Sequence, residues 1–210
     1  MEIKHGEHTT IVGQTGSGKT FFAKNGLLPA FNRIIIVDSE DYDFAEIRAV
    51  SVKQALELAH GNKPFVVRVI MAGTIEYDEE RLKSLCEGLL EHGHDSTVYI
   101  DEVTDFSDTR TIPPYLLSLI RKSRKRRISV IVATQRPQNL NKNFLANSVH
   151  QFYFFMDEFD IEYLKHNGAP YLSEQIKFIP KRSFKSIYYD GEQTVIIRPV
   201  PKYNWKKRLK

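Results

Sequence analysis

Eight residues near the start of the chain, Gly13-Gln14-Thr15-Gly16-Ser17-Gly18-Lys19-Thr20, have the types and spacing needed to hold a triphosphate. The pattern G-x-x-x-x-G-K-[ST] frees backbone N–H groups to face the α- and β-phosphates. It aims an ammonium at the β/γ-phosphates and offers a hydroxyl to Mg2+. Lys19 and Thr20 fill the last two roles. A glycine-rich turn of purely structural use needs neither group at those offsets. Two elements must present the loop. Thr9-Thr10-Ile11-Val12 reads as a buried strand before it, and Phe21-Phe22-Ala23-Lys24 continues as a helix whose amino end adds positive potential. The expected ligands are ATP and Mg2+.

Cleaving that triphosphate needs acids at the end of a nearby strand, and Thr97-Val98-Tyr99-Ile100-Asp101-Glu102 supplies two. Asp101 is the expected Mg2+ partner, acting through a water because Mg2+ keeps several waters and takes few carboxylates. Glu102 is placed to polarise the attacking water as general base. A third element, Val130-Ile131-Val132-Ala133-Thr134-Gln135-Arg136-Pro137, ends a buried strand in an amide. Gln135 would then lie in the crevice outside the carboxyl ends of the sheet, where it could sense the γ-phosphate or orient water. The long stretch between Lys19 and Asp101 has room for more than one βα unit, so an extra strand is expected between the two motif strands. Small-molecule kinases with a phosphate loop more often lack both that strand and the glutamate.

The rest of the chain must hold these groups. Strand-like runs at Arg33 to Asp38, Phe65 to Met71, Thr97 to Asp101, Ile128 to Thr134 and Gln151 to Met156 join the first one. Helical patterns at Ser51 to His60, Asp78 to His92 and Tyr115 to Arg127 separate most of them. Such alternation predicts an α/β fold of the P-loop NTPase kind, a mostly parallel sheet with helices on both faces. Two runs around Asp190-Gly191, Ser183 to Tyr189 and Thr194 to Val200, predict a closing antiparallel hairpin. At 210 residues and 24.3 kDa the chain fits one domain, with a core over about 7–160 and the hairpin and basic tail over about 173–210.

Composition excludes several classes. One cysteine, Cys86, allows no internal disulfide, and its place among Leu82, Leu85, Leu89 and Leu90 at helical spacing makes it a core thiol. No run approaches the roughly 20 apolar residues that span a bilayer, and the first residues, Met1 to Gly6, show no apolar leader. The expected location is the cytoplasm. The net charge is only +4, but six of the seven residues from Arg121 to Arg127 are basic, and five more basic residues lie between Lys202 and Lys210. Acids gather at Asp38, Glu40, Asp41, Asp43 and Glu46. A polyanionic partner fits that separation. His92 and His94, with no third ligand nearby in sequence, read as a solvated turn; Phe152-Tyr153-Phe154-Phe155 reads as a core strand, and Trp205 as part of a frayed tail.

Taken in order, Gly13 to Thr20, Ile100-Asp101-Glu102 and Ala133-Thr134-Gln135-Arg136-Pro137 resemble the FtsK–HerA superfamily of DNA-pumping ATPases. The acidic end of Ile36-Val37-Asp38-Ser39-Glu40 is also similar to theirs, and the resemblance runs from about residue 9 to 140. The Thr-Gln-Arg-Pro motif joined to a basic helix is its specific part. Without a membrane segment or an appended DNA-guiding domain, the chain most resembles the compact genome-packaging ATPases of membrane-containing viruses, among them the archaeal turreted icosahedral viruses. The resemblance implies a homo-oligomeric ring, a hexamer in that family, that translocates double-stranded DNA. It also implies a capsid or virion-membrane docking partner and association with the virion. It further implies an arginine acting on a neighbouring subunit's nucleotide, at Arg124, with Arg121 matched in the HerA-like branch. At about 100° per residue, Arg121, Arg124 and Lys125 would share one helix face while Lys122 and Arg126 point elsewhere. Lys122, Lys125, Arg126 and Arg127 are the candidates for DNA contact. The alternatives are a cellular or plasmid translocase or helicase of the same superfamily and, more distantly, a small P-loop kinase.

Overall fold

The computed structural model describes residues 2–39, 43–167 and 169–209; Met1, Glu40, Asp41 and Lys210, part of the readings above, lie outside them. Eight strands form one sheet: β1 (His8–Val12), β2 (Arg33–Asp38), β3 (Phe65–Ile70), β4 (Thr97–Ile100), β5 (Ser129–Thr134), β6 (Ser148–Tyr153), β7 (Ser186–Tyr189) and β8 (Thr194–Ile197). Their spatial order is β3-β2-β4-β5-β1-β6-β7-β8. Pairing is parallel through β6, and β7 and β8 close the sheet as an antiparallel hairpin.

β1, β2, β4 and β5 are buried at every position because helices cover both faces. Alternate residues feed two cores. Ile35, Val37, Val130 and Val132 pack under α2 (Val52–His60), α3 (Ile75–His92) and α4 (Pro114–Lys122), while Ile34, Ile36, Ile131 and Ala133 pack against α1 (Lys19–Phe22) and its extension. Cys86 sits in the first core with no exposed surface, and burial raises its thiol pKa. Ser51 caps α2 through a capping box with Gln54, which sets the start of that helix. α5 (Lys142–Asn147), α6 (Glu158–His166) and α7 (Pro170–Ile176) flank β6, whose aromatics Phe152 and Tyr153 are buried.

Three expectations change. The strand between the motif strands β1 and β4 is β5, which comes after both in sequence rather than from the stretch between them. The basic helix is shorter than its pattern suggested: α4 ends at Lys122, Ser123–Arg126 form a tight 3-10 turn, and Arg127 adopts left-handed φ (57°) to swing the chain into β5. The tail is not frayed. α8 (Trp205–Arg208) places Trp205 in the second core, where its indole N–H donates to the Lys24 carbonyl at 3.2 Å, and the Arg208 guanidinium lies 5.2 Å from its ring. Among the described residues no helix is long and apolar enough to cross a membrane.

Candidate active site

The loop after β1 passes between the ends of two neighbouring strands. Gly13 N–H donates to the Thr134 carbonyl of β5 at 3.2 Å, and Gln14 N–H donates to the Phe155 carbonyl after β6 at 2.9 Å. Only glycine fits position 13, since an added Cβ would lie 2.5 Å from the Phe154 Cβ. Gly18, the residue before α1, holds φ 104°, where side chains are strained. The loop ends on Lys19, whose ammonium lies 3.4 Å from the Gln14 carbonyl, and on Thr20.

Because β5 lies between β1 and β4, two motif strands flank the loop's crevice. A cleft of about 220 Å³ results, lined by loop residues Thr15, Gly16, Gly18, Lys19 and Thr20 and by Asp101, Glu102 and Gln135. Ser39, Asp43 and the exposed Phe21 complete the wall. Thr20 donates its hydroxyl to Asp101 Oδ2 at 3.2 Å, and Tyr99 donates to Oδ1 at 2.7 Å. Burial pushes the Asp101 carboxyl up to about 6, against those two hydrogen bonds and the charge of Lys19. A buried carboxylate beside a hydroxyl, short of positive charge, is an oxygen donor set suited to a hard divalent cation.

Glu102 follows in left-handed backbone conformation (φ 41°), which aims its side chain across to β5 rather than along its own strand. Its Oε1 accepts from the Thr134 hydroxyl at 3.1 Å, from the Gln135 N–H at 3.4 Å and from the Thr104 hydroxyl. Gln135 in turn accepts the Thr15 hydroxyl at 2.6 Å, so the strand-end amide is tied to the phosphate loop. Sequence reading missed Tyr99 and Thr104; it placed Thr15 in the phosphate loop and Thr134 in the strand-end motif, but not their bonds to Gln135 and Glu102. Tyr99 was available, because positions 99 and 101 share one face of a strand by the period of two.

Of the acidic cluster, Asp43 lines the cleft, Asp38 bonds Arg68 at 3.1 Å, and Glu46 pairs with Lys24 at 2.7 Å. The basic residues lie elsewhere, where β5 begins, about 20 Å from its carboxyl end for six residues of strand. Arg121 donates to Asn143 Oδ1 at 3.1 Å, Arg124 to the Gly6 carbonyl at 3.4 Å, Arg126 to the Gly93 carbonyl at 3.4 Å and Arg127 to Asp95 at 2.5 Å. Arg121 thus faces α5 and Arg124 the segment before β1, so the common face expected from uniform α-helical spacing does not form. The break at Ser123 is the cause.

Residues 9–158 match the model of the ATPase family associated with various cellular activities (AAA). The chain belongs to the AAA ATPases. This ATPase is 29% identical over 149 residues to Protein P9 of Pseudoalteromonas phage PM2, a match spanning 69% of this chain and 66% of that protein. Its fold is similar to the genome packaging NTPase B204 of Sulfolobus turreted icosahedral virus 2 in complex with ATP-gammaS. There the TM-score is 0.76 at 16% identity, covering 95% of this chain and 100% of that one. It is similar also to VirB4 of Thermoanaerobacter pseudethanolicus, with TM-score 0.65 at 14% identity over 95% and 91% of the two chains. The likeness to turreted-virus packaging ATPases extends in three dimensions into the last third, where the sequence alone matches weakly.

Proposed function

We propose that this AAA ATPase is a double-stranded DNA translocase, the packaging motor of a viral genome, hydrolysing ATP between subunits of a ring. The observation that carries the reading is the separation along β5. Among the described residues no arginine lines the cleft, and Arg121, Arg124, Arg126 and Arg127 of the basic run stand at the other end of the strand, too far to reach their own nucleotide. Stacking subunits head to tail would bring one subunit's arginines to the next one's cleft, and a rotation that closes makes a ring. B204 and Protein P9, both viral, support the packaging role over a cellular or plasmid one. The interposed β5 and the glutamate argue against the small kinase.

In this mechanism Lys19 neutralises charge on the β- and γ-phosphates and the loop N–H groups hold the α- and β-phosphates. Thr20 and Asp101 would hold Mg2+, which supplies Lewis acidity at the phosphate oxygens. Glu102 takes the proton of the attacking water as its oxygen bonds to the γ-phosphorus and the bond to ADP breaks. Gln135 reports the γ-phosphate to the Thr15 hydroxyl. Arg124 stabilises the charge of the neighbour's transferring phosphoryl group, Arg121 being turned away toward α5, and Lys122, Lys125, Arg126 and Arg127 meet DNA phosphates. The ring, a hexamer by likeness, works in the host cytoplasm against a capsid or virion-membrane partner.

ATP turnover measured with and without long duplex DNA at one stated salt tests this reading. Strong stimulation is expected, and replacing Lys122 or Arg126 by alanine should each lower the log–log salt slope of DNA binding by about 0.9. An unstimulated rate from a preparation shown to be ring-shaped would reject the translocase.

A further inference from the structure

The phosphate loop has an exposed aromatic ring resting on it that plays no part in the chemistry above. Phe184, 48% exposed, comes so close to Gly18 that a Cβ added there would lie 2.7 Å from the Phe184 Cδ1. The ring is held by the segment between α7 and β7. Pro180 and Ser183 close a turn (Ser183 N–H to the Pro180 carbonyl, 3.1 Å), and Arg182 and Phe184 both adopt left-handed backbone, φ 65° and 54°. Each such residue other than glycine costs about 1–2 kcal/mol, and a bulky one is a true outlier. Strain of this kind persists where a ligand clamp needs it. A second attachment lies beside the first: the Lys181 ammonium sits 5.8 Å from the ring centroid of Phe155, the residue whose carbonyl accepts the Gln14 N–H. The segment is therefore fastened across the loop at two points, with Lys181, Arg182 and Lys185 exposed around Phe184.

Sheet order says which part of a nucleotide would arrive there. Asp101, Glu102 and Gln135 stand at the ends of β4 and β5, on one side of β1, and fix the γ-phosphate end. The rest of the nucleotide must leave over the opposite side of β1, toward β6 and β7. Phe184 lies two residues before that side's β7 and against Gly18, just outside the cleft wall, whereas the exposed aromatic of the wall itself, Phe21, lines the same cleft as Ser39, Asp43 and Asp101.

We propose that Phe184 is the base-stacking residue of the nucleotide site: the nucleobase of the bound triphosphate lies on its free face, with the segment 180–185 as a clamp. This rests on the phosphate-loop reading, so the test uses two probes, ATP and inorganic tripolyphosphate, which share the phosphates and differ in the nucleoside. Base–aromatic stacking is worth about 1–3 kcal/mol by alanine substitution. Phe184→Ala should accordingly weaken ATP about 5- to 150-fold by calorimetry and leave tripolyphosphate within twofold of the unaltered protein. Phe184→Leu, which keeps bulk against Gly18, should behave likewise, and Phe184→Trp should retain ATP and report it by quenched fluorescence. ATP affinity unchanged in both the alanine and leucine variants overturns the assignment. So does an equal loss of both probes in the leucine variant, or a selective loss of ATP in Phe21→Ala instead. An unaltered protein that binds neither probe would show that the phosphate site itself had been misread.

Discussion

The two ends of β5 are built on different principles. At the carboxyl end the polar groups are bonded to one another before any ligand arrives: Thr20 and Tyr99 to Asp101, Thr134 and Thr104 to Glu102, Thr15 to Gln135. At the amino end four exposed arginines each hold one partner, a main-chain carbonyl, an amide or a single aspartate. Groups that must be placed against a transition state are fixed by rigid strand ends and by neighbours that lock their rotamers. Charges whose partner comes from outside are cheapest to keep in water until it does. The difference is the one the proposed ring requires: one end is a finished half-site, and on that proposal the other completes a neighbour's.

The sharpest way to break that contrast is to remove Arg124. If Arg124 acts as proposed, Arg124→Ala in assembled protein should lower kcat by about 10³- to 10⁵-fold with ATP affinity little changed, the loss typical of a removed arginine finger. Mixing it with Glu102→Gln should restore activity, because some interfaces then join an intact glutamate to an intact arginine. Recovery no better than dilution, with both variants shown to assemble, would separate the two ends functionally. Glu102→Gln alone comes next. Its kcat should fall about 10²- to 10⁴-fold while ATP still binds, since an amide oxygen can accept from Thr134 as the carboxylate does. A single-turnover rate within threefold of the unaltered protein would remove Glu102 as the base.

Much of the carboxyl end was legible because its motifs are local. Gly13 to Thr20 states its own turn, and an acid or amide closing a buried run states a strand end. The amino end was harder to read for the opposite reason. Whether α4 continues past Ser123 depends on Ser123 being buried and on Arg127 turning the chain, which no periodicity reports. Trp205 and Phe184 were invisible in kind: each meets a residue more than 150 positions away, Lys24 and Gly18. The basic surroundings of Trp205 read as a frayed tail, and Phe184 read as part of the strand run Ser183 to Tyr189, whereas β7 begins only at Ser186. The strand between β1 and β4 was expected, yet its origin downstream is a matter of topology that spacing cannot give.

The smallest effect concerns what holds the amino end in place. His8, 3% exposed at the start of β1, has its Nε2 2.8 Å from the Ile120 carbonyl of α4, while Nδ1 accepts the Val130 N–H of β5 at 3.1 Å. Only the neutral ring with its proton on Nε2 satisfies both, since a proton on Nδ1 would face another N–H. Burial therefore pushes the His8 pKa down to about 4 from 6.5, and the charge of Arg124 adds to that. Between those values the unfolded chain binds a proton the folded one refuses. The stability His8 contributes is then complete above about pH 6.5 and is lost as pH falls toward 4, with a slope approaching about 1.4 kcal/mol per pH unit. Urea midpoints of the unaltered protein should drop more between pH 7 and pH 5 than those of His8→Gln, whose amide keeps a donor and an acceptor but does not titrate. Carboxylates shared by both proteins cancel in that difference. Parallel profiles would mean that α4 and β5 are held at this end by packing alone, and that the arginines stand on a base indifferent to pH.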